Sequence, residues 1–488
     1  MTSLSGLPAQ PIQFHPPVSS LRWGVRAIGG RFNRARWASV GLTQALFFGL
    51  CWLSWNGRPL LSFDFAHQRV HLLGAIYGPQ DLLLLAGLLM AGALALFLAS
   101  ALSGRVFCGF VCPQSVYTGV FLGVEQWVMG TPGQRRQRAR SGQHLQSAAR
   151  QALTWGLWGG MSLALGWTFT AYFSSGPDLA RRTLAGAMGP VELGACLGYA
   201  LFAFLQAGLL REKVCQHMCP YARFQGVMGN EHTQVVSYDQ RRGEPRANVL
   251  RAPLSRLAGP AGQAAPAAPA APAAQALPAA GACVDCGLCV QVCPAGIDIR
   301  QGAQYECISC GLCIDACDRV MLSARQPTGL IRFANSLGTG WRDTLAQARV
   351  RGHALALLLA LLGVGWTVAQ RVPLQLEVLR DRAVLSRPNR DGSVDNVYRL
   401  HLQNYDVRAH AFTVQLREAG PLQLLPTAPI DVPASGERSV AVTVRLPAAA
   451  AAEAQGASTP VLPLQLAVVA EQAPALQRQQ ATRFLLPR

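Results

Sequence analysis

The chain has 488 residues, half of them hydrophobic, with a mean hydropathy of +0.21 and a formal net charge of +18; its length allows about three domains. The positive balance does not indicate nucleic acid, because the arginines flank long apolar runs and form no groove interleaved with aromatic residues; it fits a membrane surface. A single lysine, Lys213, accompanies those arginines, a compositional bias without physical content.

Residues 1–36 read as a basic tail, with Arg22, Arg26, Arg31, Arg34 and Arg36 and no acidic residue. Five apolar runs then approach the roughly 20 residues that cross a bilayer. They lie near Trp37 to Trp55, Asp81 to Leu102, Gln151 to Phe173, Val191 to Leu210 and Gly352 to Ala369. The first run is too long for the apolar core of a secretory signal and has no small-residue cleavage site behind it, so it is expected to remain as an anchor. Arg105, Arg135, Arg136, Arg138, Arg140 and Arg150 follow the second run, whereas the loops at 56–80 and 174–190 hold two arginines apiece. Short loops rich in Lys and Arg stay in the cytoplasm, so the N-terminus is expected inside and the region after the fifth run outside. His67 and His71, four apart in the first external loop, lack a third ligand nearby and read as surface residues. Cys51 and Cys196 lie within apolar runs and read as packing residues.

Two cysteine pairs follow the second and fourth runs, Cys108-x3-Cys112-Pro113 and Cys215-x3-Cys219-Pro220. A shift of 107 residues superposes them and also matches Gly119-Val120 with Gly226-Val227. This repeat, two spans and a thiol pair in each half, predicts halves related by a pseudo-twofold axis with the four thiols near one another. Cysteines four apart share one face of a helical turn, and thiolates select Cu(I) over harder metals. His217 and Met218, between the second pair, add an imidazole and a thioether. Copper or another redox metal, a regulatory disulfide, zinc and a further cluster are all open readings of the four thiols.

Residues 211–282 form a cytosolic connector whose Ala/Pro-rich stretch, Ala261 to Ala282, predicts an extended, semi-rigid tether. Next come Cys283, Cys286, Cys289 and Cys293, then Cys307, Cys310, Cys313 and Cys317. This is C-x2-C-x2-C-x3-C twice, the ligand pattern of a bacterial two-cluster ferredoxin, in which the fourth cysteine of each run serves the other cluster. The expected sets are crossed: Cys283, Cys286, Cys289 and Cys317 for one 4Fe-4S cluster, and Cys307, Cys310, Cys313 and Cys293 for the second. Zinc would need four cysteines in two separated knuckles instead. Pro294 follows the first run as the pattern expects, whereas Asp318 stands where the second run would carry proline, which weakens a turn there without removing a ligand. No cysteine occurs after Cys317, so the thiols sit in the compartment where they stay reduced.

The ferredoxin module and a basic approach to the membrane occupy residues 283–351, and the fifth span 352–370. From 371 to 488 the apolar period changes to two, as in Leu374-Gln-Leu-Glu-Val378, Val397-Tyr-Arg-Leu-His-Leu402, Phe412-Thr-Val-Gln-Leu416, Val440-Ala-Val-Thr-Val-Arg-Leu446 and Leu462-Pro-Leu-Gln-Leu-Ala-Val468. Short alternating strands between Pro, Gly and Asn turns predict an immunoglobulin-like β-sandwich, which carries no catalytic constellation and reads as a docking or spacer domain. The expected fold is a multi-domain membrane protein: a basic tail (1–36), four transmembrane helices within 37–210, the connector, a cytosolic α+β ferredoxin domain, the fifth transmembrane helix and a periplasmic β-sandwich.

In this order the motifs resemble the cytochrome c oxidase accessory protein family called CcoG, FixG or RdxA. The resemblance rests on Trp55-Asn-Gly-Arg58, Pro79-Gln-Asp81, Cys108-Gly-Phe-Val-Cys112-Pro-Gln114, Cys215-Gln-His-Met-Cys219-Pro-Tyr-Ala-Arg-Phe-Gln225, Cys313-Ile-Asp-Ala-Cys317-Asp-Arg-Val-Met321, Gly329-Leu-Ile-Arg-Phe333 and Asn396-Val-Tyr-Arg-Leu400. It implies a bacterial inner-membrane protein that assists assembly of a cbb3-type haem-copper oxidase by reducing Cu(II) to Cu(I), a cupric reductase with two 4Fe-4S clusters. Copper would be its substrate or transient ligand at Cys108, Cys112, Cys215 and Cys219, with His217 and Met218 as additional donors. The implied partners are the lipid membrane, oxidase subunits or copper chaperones and an unidentified cytosolic electron donor; the oligomeric state is open, a dimer being one option. The Ala/Pro tether departs from the family pattern and puts the spacing between clusters and membrane in question. A quinol-linked relay, resembling the NapH and NosR membrane proteins, is the alternative; a scaffold with purely structural clusters is the third.

Overall fold

A computed structural model describes residues 24–55, 58–65, 67–246, 281–380, 386–417, 420–456 and 461–487. Most of the expected tail, residues 1–23, and the expected tether apart from its last two residues lie outside the described residues. The chain divides into two compact units, one of residues 1–49, 90–170 and 187–360, the other of residues 50–89, 171–186 and 361–488.

Among the described residues, four helices are long and apolar enough to cross a membrane: Leu82–Ser103, Val106–Met129, Pro190–Leu210 and Ala348–Ala369. They mark the chain as a membrane protein. Three fall on expected runs, while Val106–Met129, helical over Val106–Phe110 and Pro113–Met129 with a break at Val111 and Cys112, is new, its apolar content diluted by Gln114, Ser115 and Gln126. The first expected run is shifted: the helix spans Arg31–Gly49, begins inside the expected tail, and gives way to a short turn at Leu50–Trp52 and a strand at Ser54–Trp55. The third run lies in a helix of 31 residues, His144–Ser174, whose glycines and threonines lower its hydropathy.

In the first unit the ferredoxin module is built on two short helices, Leu288–Gln291 and Leu312–Ser323, each led by a cysteine run. A two-stranded antiparallel ribbon, Val235–Tyr238 with Ile331–Ala334, closes it. The second helix is longer because Asp318 replaces proline. A proline there would remove an amide donor inside the helix, whereas Asp318 lets the helix continue and accepts the Gly329 amide at 2.9 Å. The weakened turn expected at this position is therefore absent; helix takes its place. The Gly281 amide donates to the Pro245 carbonyl at 2.8 Å and the Ala282 amide to the Arg242 carbonyl at 2.9 Å, so residues 281 and 282 lie beside residues 242 and 245.

In the second unit the C-terminal region is a two-sheet sandwich. One sheet orders Gln423–Leu424, Glu437–Leu446, Val394–Asn404 and Leu374–Arg380, with Arg387–Pro388 also on Val394–Asn404. The other orders Ile430–Val432, His410–Arg417, Val461–Ala470 and Gln477–Leu485. All five sequence segments of period two lie in these strands. Their inward positions, among them Tyr398, Leu400, Leu402, Phe412, Val444 and Leu466, make one buried core, as alternation across paired strands requires. The loop before the helix Leu82–Ser103 folds as a small meander, Leu61–Asp64, Arg69–Leu72 and Ala75–Tyr77, and packs on the sandwich, where Arg69 donates to the Ser435 carbonyl. Arg371 clasps Asp81 with two bonds of 2.9 and 2.8 Å and stacks 4.4 Å from the Tyr77 ring centroid.

Candidate iron-sulfur and thiol centre

Two cavities occupy the ferredoxin module. One is lined by Cys283, Cys286, Cys289 and Cys317, the other by Cys293, Cys307, Cys310 and Cys313 together with Cys289. These groupings are the crossed sets. Apolar side chains complete the walls: Val320, Met321, Leu330 and Ile331 in the first, Val236, Ile297, Ile299 and Ile308 in the second. Within each run the backbone enters the left-handed region twice, at Asp285 and Gly287 and again at Ser309 and Gly311. Such alternation turns successive N–H groups to one side and makes an anion-binding concavity, which suits an anionic thiolate-ligated cluster. Gly311 serves twice, since an added Cβ would stand 2.6 Å from the Phe32 ring as well as in that strained conformation.

Burial raises the thiols of these cages, Cys289 and Cys307 to about 11 and Cys317 to about 12, with Cys313 raised well above its ordinary value. Free thiols there would keep their protons. Iron supplies the local positive charge that deprotonates coordinating sulfur, so the donor set and the concavities fit a pair of cubanes. Among the described residues no three His, Cys, Asp or Glu side chains converge on a single-ion site. Arg300 braces the first cage, bonding Asp298 at 2.8 and 2.7 Å and also pairing with Asp285.

The two C-x3-C-P motifs repeat in structural detail. The apolar helices before them end at Ser103 and Leu210, and the next residues, Gly104 and Arg211, both have positive φ. The Cys112 amide then donates to the Phe107 carbonyl at 2.9 Å and the Cys219 amide to the Val214 carbonyl at 2.8 Å. Pro113 and Pro220 each open the following helix, where a missing amide costs nothing. All these pairs obey the shift of 107 residues. The second cysteine of each motif is the residue before that helix, in extended conformation at Cys219 (φ −78°, ψ 112°), so the pair does not share one helical face as expected; the chain breaks between the two sulfurs. Cys215 and Cys219 are half-buried, whereas His217 and Met218 are exposed.

The repeat brings the four thiols within electrostatic range of one another. Cys108 senses Cys112 and Cys219, and Cys215 senses the other three. Burial, reinforced by those neighbours, pushes the Cys215 thiol up to about 12. The buried amide of Gln225 accepts from the Cys108 thiol at 3.2 Å and donates to Tyr221 and Ser100 at 2.6 and 2.9 Å.

The first thiol turn sits directly on the second cluster loop. A Cβ at Gly109 would lie 2.6 Å from the Ile308 carbonyl oxygen and 2.9 Å from the Cys310 Cα. Cys108 shares a buried cluster with Ile28, Val292, Ile308, Cys310, Leu312 and Ala316. Cys286, by contrast, is exposed. One cage therefore abuts the membrane thiols and the other opens to solvent. Sequence reasoning missed Gly109, Gln225 and Arg105. The first two belong to the quoted motifs but carry no chemistry of their own, and Arg105 was counted as a loop charge. His67 is exposed and pairs with Asp64 at 2.7 Å.

Family models match residues 210–336 as a 4Fe-4S dicluster domain, 364–487 as an Ig-like fold at the C-terminus of FixG, and 85–124 as a 4Fe-4S binding domain; the last range contains Cys108 and Cys112. The chain is similar to protein RdxB of Cereibacter sphaeroides, 32% identical over 437 residues, 84% of this chain and 86% of that one. It is 31% identical to protein RdxA of the same organism over 443 residues, 87% of this chain and 88% of that one. It is 30% identical to the nitrogen fixation protein FixG of Rhizobium meliloti over 413 residues, 77% and 75% of the two. Among solved structures, a FixG-related protein from Vibrio parahaemolyticus aligns with 24% of this chain and 98% of its own, at 15% identity and a TM-score of 0.21.

Proposed function

Because the chain belongs to the FixG/RdxA family, we propose that it takes electrons from a cytosolic donor and reduces Cu(II) to Cu(I) at the membrane for assembly of a cbb3-type oxidase. When bound, the clusters supply one-electron chemistry. The observation that carries this reading is the contact of Gly109 with Ile308 and Cys310, which places the Cys108 turn on the second cage. Electrons leaving that cage have sulfur as their nearest exit.

The chain's own residues divide the work. Cys283, Cys286, Cys289 and Cys317 hold the solvent-facing centre, and Cys293, Cys307, Cys310 and Cys313 the centre nearer the thiols. Cys108, Cys112, Cys215 and Cys219 take copper as substrate; a pair of thiolates suffices for a cuprous ion and favours it over the cupric form. The exposure of His217 and Met218 makes them entry contacts rather than part of the holding set. Each Cu(II) accepts one electron and leaves as Cu(I). The arginine distribution supports an inner-membrane protein with N-terminus and clusters in the cytosol and the sandwich in the periplasm, where the sandwich would meet oxidase subunits or copper chaperones.

The test mixes anaerobically reduced protein with Cu(II) and follows cluster absorbance. Wild type is expected to reoxidise and yield one Cu(I) per electron, while the Cys215→Ser/Cys219→Ser variant keeps its iron and reoxidises at least tenfold more slowly. Equal rates refute the assignment. Reduction of the oxidised clusters by a quinol analogue, with no response to Cu(II), would instead establish a quinol-linked relay.

A further inference from the structure

Arg105 looks in sequence like one more cation of a cytoplasmic loop, yet its side chain is only 7% exposed. It follows Gly104, where the first apolar helix of the repeat ends, and precedes the short helix Val106–Phe110 that carries Cys108. Nη1 donates to the Tyr305 carbonyl at 2.6 Å, and the guanidinium lies 5.4 Å from the Tyr305 ring centroid. Nε and Nη2 are buried and have no hydrogen-bond partner among the described residues. A buried cation with open donors is costly unless an anion faces it. The groups that flank it carry sulfur: Arg105 stands three residues before Cys108, and its partner Tyr305 stands two residues before Cys307 of the second cage.

We propose that Arg105 is a positioning residue whose fixed positive charge bridges the second cysteine cage and the membrane thiols and stabilises the added electron on the nearer cluster. This rests on the electron-transfer reading above. The guanidinium suits the place because its planar fork can commit one arm to the Tyr305 carbonyl while the rest remain directed elsewhere, which a lysine ammonium cannot reproduce. A fixed cation favours the more negative, reduced state of a neighbouring centre and raises its potential; the cage that Arg105 adjoins through Tyr305 is the one that holds Cys307. At the equivalent position of the other half, 107 residues on, stands Glu212. The two halves of the repeat thus differ in sign at this position, and the cation falls in the half that touches the cage.

The experiment is a potentiometric titration of the anaerobic full chain, read by absorbance and EPR without copper. Wild type is expected to show two reduction waves. Arg105→Gln should retain iron and move one wave to lower potential while the other stays; Arg105→Lys, which keeps the charge but loses the fork, should move the same wave by less. Two unmoved waves in an iron-replete variant, or both waves moved equally, overturn the role of Arg105. If the Gln variant loses iron, the Lys variant decides by the same criterion. Absence of any cluster wave in wild type overturns the electron-transfer reading itself, so the two failures are distinct.

Discussion

The carboxylate of Asp315, between Cys313 and Cys317, accepts the backbone amides of Phe32 at 3.2 Å and Asn33 at 2.8 Å. Those amides belong to the first turn of the helix Arg31–Gly49, where donors lack intrahelical partners. A residue 282 positions away thus caps a helix from inside a cluster-binding run, with Arg319 donating to the Gly29 carbonyl at 2.7 Å alongside. Loss of such a cap costs about 1 kcal/mol. Asp315→Ala should therefore speed amide exchange in residues 31–35 several-fold while the iron content stays at the wild-type level. Unchanged exchange would show that the cap contributes nothing.

Backbone atoms of Ile308 and Cys310 stand 2.6–3.1 Å from the place a side chain at Gly109 would take, and forced packing of this kind costs about 1–3 kcal/mol. Gly109→Val should lower the thermal transition, keep both clusters and slow transfer from cluster to thiol site. Full stability together with wild-type transfer would remove the contact from the account.

The crossed ligand sets make a pairwise prediction for iron content. Cys286→Ser combined with Cys317→Ser should cost one cluster, about half the iron, whereas Cys286→Ser combined with Cys293→Ser should cost both, because each run lends its fourth cysteine to the other. The reverse pattern would mean that each run closes its own cluster.

The cysteine runs, the strands of period two and most apolar helices were legible because spacing and periodicity are local. What escaped is tertiary. Asp315 and Asp318 lie within a motif read for its cysteines, yet one caps a distant helix and the other extends its own. Arg105 carries the same charge as its exposed neighbours, and only burial sets it apart. The Val106–Met129 helix was missed because polar residues on its packed side lower the mean that a span is judged by.

Arg371 and Asp81 form a bidentate pair with side chains 14% and 11% exposed. Removing one partner of such a buried pair costs about 3–5 kcal/mol because the other is left charged and alone. Arg371→Ala should make the meander of residues 61–77 susceptible to proteolysis, and Arg371→Lys should rescue only part of the loss. Resistance equal to wild type would contradict the clasp.

In the sandwich, Arg445 bonds Asp395 twice at 2.8 Å across the paired strands Val394–Asn404 and Glu437–Leu446. The guanidinium holds the Asp395 carboxyl below its usual range. A depressed folded value contributes stability above the unfolded carboxyl value of about 3.9. That contribution is lost as pH falls through the folded value. Amide exchange in these strands should accelerate more steeply below about pH 4 in wild type than in Arg445→Gln; parallel profiles would exclude the pair as the cause.

The central claim is that the eight cysteines of residues 283–317 hold two iron-sulfur cubanes, one of them against the membrane thiols. Anaerobic iron analysis of the full chain joined to redox-poised EPR tests it most directly. The account predicts about eight iron atoms per chain and two reducible 4Fe-4S centres. Protein that carries no such signal, or binds only isolated metal ions, contradicts it.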